Sequence, residues 1–378
     1  MLKILDKVKH DVSSIFVFSY FLMLTGWWAV LYFFFESRLI EQNLVWAATY
    51  QFLAWFGAIY ALKNSHVWGD VHSRLGMSMI CFGAGLLLQG IGQTVFSFYT
   101  TILHIDIPYP SLADIGFFGS IPFYLSGAYM LAQLSGAEIS IKSFAGRIQV
   151  LFVPIFMLSF SFIVFLGDYQ YDWSQPLKTF LDIGYPLGQA MYVSIAILAL
   201  SLSWKTSGGM IRQPIIFLII ALVVQYFADF IFLYQAHVET FYSGGTSDFL
   251  YLVSYFCMTM ALIRIGSMSK TVAERVCESP LVENTAPTPD TIVTRIIFAQ
   301  QEVIGDLAWV MAQKIEGISV DEHHEKAHIA AGINVRNTIE TLVTEYKTMF
   351  GNAAVAVSKK AIADMLHDIS AEIPESLQ

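Results

Sequence analysis

Long apolar runs separated by short polar loops occupy the first two thirds of this 378-residue chain. A helix that crosses a bilayer needs about 20 mostly apolar residues. By that measure the pattern predicts eight membrane-spanning helices. Their expected bounds are 12–35, 43–62, 75–103, 112–134, 148–167, 179–203, 211–236 and 246–267. The first run exceeds the apolar part of a signal peptide and lacks a small-residue cleavage site, so we expect it to be retained.

Basic residues alternate between the two sides of these eight spans. The N-terminus, the loops after even-numbered spans and the segment after span 8 carry twelve Lys and Arg, whereas the other side carries only Arg38 and Lys178. Because basic residues stay on the cytoplasmic side, we expect a multi-pass protein of the inner (cytoplasmic) membrane with both termini in the cytoplasm. Only 13% of the residues are charged and 56% are apolar, which also favours a lipid bilayer as the main partner.

The composition changes after about residue 267. We divide the chain into a membrane domain (1–267), a linker rich in Pro, Thr and Glu (268–290) and a cytoplasmic helical domain (291–378). Three amphipathic patterns, the last containing Ala361, Ile362, Met365 and Ile369, predict helices in that domain. Since a domain of this size is near the lower limit for independent folding, we expect it to form a homodimer or to bind a cytoplasmic protein. The expected fold class is therefore all-α.

A short motif recurs at the start of three even-numbered spans. It reads "ADIGFF" at 113–118, "LDIGYP" at 181–186 and, more loosely, "SDFLYL" at 247–252. Each copy has an acid followed three residues later by an aromatic residue; the pairs are Asp114 with Phe117, Asp182 with Tyr185, and Asp248 with Tyr251. The spacing suits a duplicated helical hairpin, and residues three apart share a helix face. We therefore expect each acid and its ring to point the same way at the outer surface.

Two interpretations of these acids stay open at this stage. An Asp at the start of a helix satisfies free backbone N–H groups and favours the positive end of the helix dipole. The same acids could instead bind a ligand, such as a cation, an amine or a metal ion. Asp229 is the sharper case, because it lies near the C-terminal end of span 7, where neither effect favours an anion. A ligand site there competes with a buried hydrogen bond to Tyr226 or Gln225. Our candidate ligand-binding residues are Asp114, Phe117, Asp182, Tyr185, Asp229, Asp248 and Tyr251.

The segment "PYPSLADIGFFGSIPFYLSGAYML" resembles one that recurs in multi-span N-terminal regions of bacterial signalling proteins, often joined to diguanylate cyclase (GGDEF) or EAL domains. The pattern P-x-P-S-x-A-D is matched from Pro108 to Asp114, although Pro122 follows Ile instead of Tyr. Two further patterns follow in order: "YPLG" from Tyr185 to Gly188, with Gln189 where an acid is usual, and Ala228–Asp229 before Asp248. The resemblance covers about residues 15–265 and implies a membrane sensory region. No GGDEF or EAL motif occurs in this sequence, and the C-terminal region is unassigned.

The stretch "HEKAH" at 324–328 formally matches the zinc motif H-E-x-x-H. Lys326 and the polar residues before His324 are unusual for such a helix, which disfavours a zinc role for the candidate ligands His324 and His328. We expect no cofactor and no catalytic residues. The net charge of −9 is spread along the chain and does not form a basic patch, so we expect no nucleic-acid partner.

These observations favour a non-enzymatic integral membrane sensor that relays an outward-side signal to its cytoplasmic helices. A cation- or proton-coupled transporter that uses the same acids is the first alternative. A membrane-anchored metalloenzyme that uses "HEKAH" is the second.

Overall fold

The structure is a computed structural model that describes most of the chain: residues 12–35, 41–105, 107–136, 143–166, 172–203, 208–275, 288–321, 326–365 and 373–377. It confirms a helical protein with eight helices that are long and apolar enough to cross a membrane. We call them spans 1–8; they are Val12–Phe34, Glu41–Trp68, Arg74–Ile102, Leu112–Leu134, Phe144–Val164, Pro176–Leu202, Arg212–Ala236 and Thr246–Met268. Each overlaps the predicted run, so apolar length alone locates them.

Six of the eight spans form a closed ring. Span 2 packs on span 3, span 3 on 4, span 4 on 6, span 6 on 7, span 7 on 8, and span 8 closes the ring against span 2. Spans 1 and 5 lie outside the ring, against spans 8 and 6 respectively, and are the least buried of the eight. Small residues allow close contacts within the ring: Gly116 of span 4 lies against the backbone of Gly92 in span 3.

The C-terminal module (residues 288–377) is a small helical unit with one β-hairpin. Its elements are α1 (Pro289–Ile304), α2 (Leu307–Ala312), β1 (Ile318–Val320), β2 (Ala327–Ile329) and α3 (Val335–Ala361). The strands pair antiparallel, with Ser319 opposite His328. The hairpin was not predicted from the sequence, because strands of three residues are too short to give a periodic signal.

The predicted third amphipathic helix of this module is only partly correct. Helix α3 is interrupted at Gly351, whose φ of +67° is left-handed, and it ends at Ala361. Ile362 and Met365 are buried in the turns that follow, and Ile369 lies outside the described residues.

The module packs on two loops at one end of the bundle, which we call the module end. One is the loop between spans 2 and 3: the indole of Trp68 is buried there and its Nε1 donates to the Ile265 carbonyl of span 8 at 2.9 Å. The other is the loop between spans 6 and 7, where the amides of Met210 and Ile211 donate to the carbonyls of Glu302 and Val303, both at 3.1 Å. These two loops and the module therefore share one side, as the distribution of basic residues predicts.

A pair of glycine substitutions measures how the module is held. A methyl group at Gly351 would overlap the carbonyl oxygen of Trp68, whereas at Gly332, also left-handed (φ +87°), it would meet only open space. We expect Gly332→Ala to cost ~1–2 kcal/mol from its backbone conformation alone. We expect Gly351→Ala to cost about 2–5 kcal/mol, because overpacking is added to the same backbone cost. Thermal unfolding in detergent compares the two, and equal losses would contradict this contact.

Candidate functional site

Asp114 links the start of span 4 to span 6. Its Oδ2 accepts from the amide of Ser111 at 2.7 Å, and the Ser111 Oγ accepts in return from the amide of Ala113 at 3.2 Å, so the pair caps the helix. Its Oδ1 accepts from the hydroxyl of Tyr185 at 2.8 Å. The capping interpretation is thus confirmed for Asp114, but it uses only one carboxylate oxygen. The second oxygen is available for a contact between spans.

Asp248 at the start of span 8 also uses its two carboxylate oxygens for two different contacts. Its Oδ2 accepts from the amide of Gly244 at 2.6 Å, just before the helix begins. Its Oδ1 accepts from the hydroxyl of Tyr50 in span 2, at a long 3.4 Å. Asp248 is buried, and this contact lies where span 8 closes the ring. One acid therefore both begins a helix and joins two spans.

Asp182 does not cap a helix. It is the seventh residue of span 6, so the free N–H groups of the first turn lie well before it. Its carboxylate instead accepts from the hydroxyl of Tyr109, at 2.7 Å, in the loop before span 4. This pair is exposed, at the end of the bundle opposite the module, which we call the far end. The three predicted acids are thus not structurally equivalent, and the internal repeat stays a prediction.

Asp229 bonds to a residue that the sequence did not suggest. Its Oδ1 accepts from the hydroxyl of Tyr251 in span 8 at 2.6 Å. Tyr226, one proposed partner, bonds instead to Ser161 of span 5, with 2.8 Å between the hydroxyls. Gln225, the other expected partner, lies beside the Asp229 carboxyl, and Asp229 itself is partly buried.

Four hydrogen bonds therefore share one chemistry, a tyrosine hydroxyl that donates to an aspartate. We call them the acid–tyrosine pairs: Asp114–Tyr185, Asp182–Tyr109, Asp229–Tyr251 and Asp248–Tyr50. All lie toward the far end, and each joins two different elements. A buried carboxylate is costly unless it is hydrogen-bonded, so the pairs other than the exposed Asp182–Tyr109 let their acids stay in an apolar bundle.

Further polar side chains continue from these pairs into the middle of the ring. The hydroxyl of Tyr255, one turn after Tyr251, donates to Gln89 Oε1 at 3.0 Å, and Gln89 Nε2 donates to Ser120 at 2.8 Å. The rings of Tyr124 and Tyr192 meet edge to face with centroids 5.9 Å apart, and both residues are buried. We call Gln89, Ser120, Tyr124, Tyr192 and Tyr255 the polar core. It joins spans 3, 4, 6 and 8 near the middle of the bundle.

The polar residues give way to apolar ones toward the module. In span 8, the hydroxyl of Thr259 donates to the Leu53 carbonyl at 3.0 Å. The next buried residues of that span are Met260, Ala261, Leu262, Ile263 and Ile265. The acid–tyrosine pairs and the polar core therefore occupy the far half of the ring.

The structure unites most of the predicted site residues but gives them other partners. Tyr185 and Tyr251 bond to acids outside their own motifs, and Phe117 packs its ring against Gly92 of span 3 without any polar contact. Sequence reasoning missed Tyr50, Tyr109, Tyr124, Tyr192, Tyr255 and Gln89. One signal was available, because Tyr251 and Tyr255 are four residues apart and Tyr185 and Tyr192 seven, which places each pair on one helix face.

The described part of the "HEKAH" stretch, residues 326–328, is not helical, whereas its zinc motif needs a helix. His328 lies in strand β2, and its Nδ1 is 2.9 Å from Asp290 Oδ2, while His324 lies outside the described residues. Across the described part of the chain, no three His, Cys, Asp or Glu side chains cluster as a metal site would require. The Asp290–His328 contact instead fixes the hairpin to α1.

Comparison with protein-family models, with curated proteins and with solved structures finds no match to this chain.

Removal of one hydroxyl tests whether the acid–tyrosine pairs hold the spans together. Tyr185→Phe deletes the donor to Asp114 and keeps the ring, so we expect a loss of about 1–2 kcal/mol in the free energy of unfolding. Tyr129→Phe, which removes an exposed hydroxyl bonded within its own helix, is the matched control with an expected loss under ~0.5 kcal/mol. Unfolding in mixed micelles measures both. Similar values for the two would show that the pair does not stabilise the bundle.

Asp290 predicts a pH effect in the module. Partial burial opposes its ionisation, but hydrogen bonds from the Ile329 amide and from His328 outweigh it and lower the pKa of the carboxyl. A lowered pKa stabilises the fold above the unfolded value of about 4, and that stability is lost as the pH falls from there through the folded pKa. Because the carboxyl is largely exposed, we expect its ionisation to contribute under ~1 kcal/mol to the free energy of unfolding. Protection of the Ile329 amide from hydrogen exchange should decrease as the pH falls from 5 to 3. Asp290→Asn should remove this pH dependence. An unchanged profile in that variant would contradict the assignment.

Proposed function

We propose that this chain is an integral membrane sensor of the inner membrane, with the far end of the bundle facing outward and both termini in the cytoplasm. In this function, the acid–tyrosine pairs and the polar core form the input site. The module is the output, and it acts through a cytoplasmic protein or a second copy of the chain. The observation that carries the proposal is the course of span 8, which connects these two regions by a single helix.

Span 8 is part of an uninterrupted helix of 30 residues, Thr246–Arg275. Its first turns carry Asp248 and Tyr251, and Tyr255 follows in the polar core. Its last membrane turns carry the carbonyl of Ile265, which accepts from the Trp68 indole below the module. A helix transmits a shift or rotation along its length, so a change at the acids would reach Trp68 directly.

The module end has the features of a contact that can open. The module meets the loop between spans 6 and 7 through the backbone of residues 208–211, and it meets the other loop where Gly351 lies against Trp68 and Gly69. A signal requires two states of similar free energy, one of which the input favours. The hydrogen bonds across this end come from a few backbone groups, which suits such an equilibrium. Apolar side chains of the bundle and of the module, Trp68 and Phe350 among them, belong to one continuous core.

The resemblance of residues 15–265 to multi-span regions of bacterial signalling proteins supports the same function. Residues that carry this resemblance, such as Asp114, Tyr185, Asp229 and Asp248, are also the ones that join the spans.

The first alternative is a cation- or proton-coupled transporter. The contact of Tyr255 with Gln89 near the middle of the bundle favours it, because transporters place polar sites at mid-membrane. The apolar residues that follow in span 8 favour the sensor, since they do not continue a polar path toward the module end.

A distance measurement across the module interface tests the sensor. Spin labels at Val71→Cys and Lys347→Cys, both exposed positions, report on the separation of the loop from α3 once the native cysteines are replaced by Ala. We expect Asp248→Asn and Tyr251→Phe to change the distance distribution in nanodiscs. Tyr129→Phe should leave it as in the parent protein. Identical distributions in all variants would overturn the relay, and cation flux into liposomes that is lost in Asp229→Asn would establish the transporter instead.

A further inference from the structure

A groove of about 330 Å³ lies where the module meets the loop between spans 2 and 3, and we call it the seam groove. Both parts of the protein supply its apolar walls, which include Val67 of the loop, Val303 of α1, and Phe350, Ala353 and Val357 of α3. Lys360, in the last turn of α3, lines the same groove and is half-buried. The seam groove therefore combines apolar walls with one ammonium group.

Charge distinguishes this groove from the rest of the module. Residues 288–377 contain thirteen Asp and Glu but only seven Lys and Arg, yet none of the described residues that line the seam groove is an acid. Lys360 takes part in none of the ion pairs between described residues of the module, such as Arg295–Asp364 and Arg336–Glu375. A charge that is partly withdrawn from water is stabilised by an opposite charge. The seam groove is therefore complementary to an anion.

The groove also lies at the level where span 2 ends. Trp68 is the last residue of that span and lines the groove next to Val67. In the proposed orientation this level is the cytoplasmic surface of the membrane, where anionic lipids give a negative surface potential and basic pockets bind their head groups. Apolar walls beside an ammonium group at this level fit a molecule that has both an acyl chain and a phosphate.

We propose that the seam groove binds one anionic phospholipid of the cytoplasmic leaflet. Its phosphate pairs with the ammonium of Lys360, and its acyl chain covers the apolar walls. A soluble anion would leave those walls uncovered, and an uncharged lipid would leave the ammonium without a partner. This inference rests on the proposed function, because it requires the module end to face the cytoplasm. Since the loop and the module both line the groove, the bound lipid favours the docked module over a separated one.

Native mass spectrometry of the full chain, released from uncharged detergent micelles, tests the site by counting bound lipids. The probe is an equimolar mixture of phosphatidylglycerol and phosphatidylcholine with the same acyl chains. We expect the parent protein to retain one phosphatidylglycerol several-fold more often than one phosphatidylcholine. Lys360→Gln removes the charge and should abolish this preference, whereas Lys360→Arg keeps the charge and should preserve it. Because Lys360 is only half-buried, both variants should keep the melting temperature of the parent protein.

Lys347→Gln is the matched control, because it removes an exposed Lys of α3 that does not line the seam groove. We expect its lipid preference to equal that of the parent protein. The proposal is overturned if the parent protein retains both lipids equally, or if Lys360→Gln keeps the preference. It is also overturned if inorganic phosphate at the same concentration displaces the phosphatidylglycerol, since a soluble anion would then suffice. A dimer that Lys360→Gln converts to a monomer, with no change in bound lipid, would assign the groove to a second copy of the chain instead.

The lipid test and the spin-label test fail independently. A preference for phosphatidylglycerol that depends on Lys360, with fixed interface distances in the Asp248 and Tyr251 variants, would support the lipid site and overturn the relay. Distances that change in those variants, without any lipid preference, would support the relay and overturn the lipid site.

Discussion

The hydrogen bond between a tyrosine hydroxyl and an aspartate carboxylate is the interaction on which the far half of this bundle depends. In an apolar bundle, helices gain little from apolar contact alone, because lipid tails are as apolar as their side chains. Polar groups that must find partners therefore determine which helices meet. Here the bonds Asp114–Tyr185, Asp229–Tyr251 and Asp248–Tyr50 join span 4 to 6, 7 to 8 and 8 to 2, which are three of the six contacts of the ring. A fourth contact of the ring, between spans 3 and 4, depends on small residues such as Gly116 that let the two helices approach closely.

The two ends of the bundle are built on different principles. The far end is held by side-chain hydrogen bonds between acids and tyrosines. The module end combines backbone hydrogen bonds, the buried indole of Trp68 and an apolar core that continues from the bundle into the module. Span 8 belongs to both ends and to the contact that closes the ring. A rearrangement of Asp229 or Asp248 must therefore either move this helix or break a bond that it makes. This would be the physical basis of the proposed connection between the acids at the far end and the module.

The sequence allowed the eight spans to be predicted closely, because apolar length is a property of each segment by itself. It also identified the acids, since Asp in an apolar run is conspicuous. Their partners could not be predicted, because Tyr185 lies 71 residues from Asp114, and Tyr50 lies 198 from Asp248. Only the packing of the ring decides such pairs. Asp182 shows the same limit. Its motif resembles that of Asp114, but its helix begins six residues before it, at Pro176, so Asp182 does not lie at a capping position.

The order of the partners along the chain has a consequence for biosynthesis. Span 2 is made early, yet the acid that bonds to Tyr50 arrives only with span 8, and the donor to Gln89 arrives with that span as well. Until then the amide of Gln89 lacks its final partner inside the bilayer. Ring closure is consequently a late event of high contact order, which depends on the last helix to be inserted. A chain truncated before span 8 would expose these polar groups together, as a distinct surface that quality-control factors can recognise.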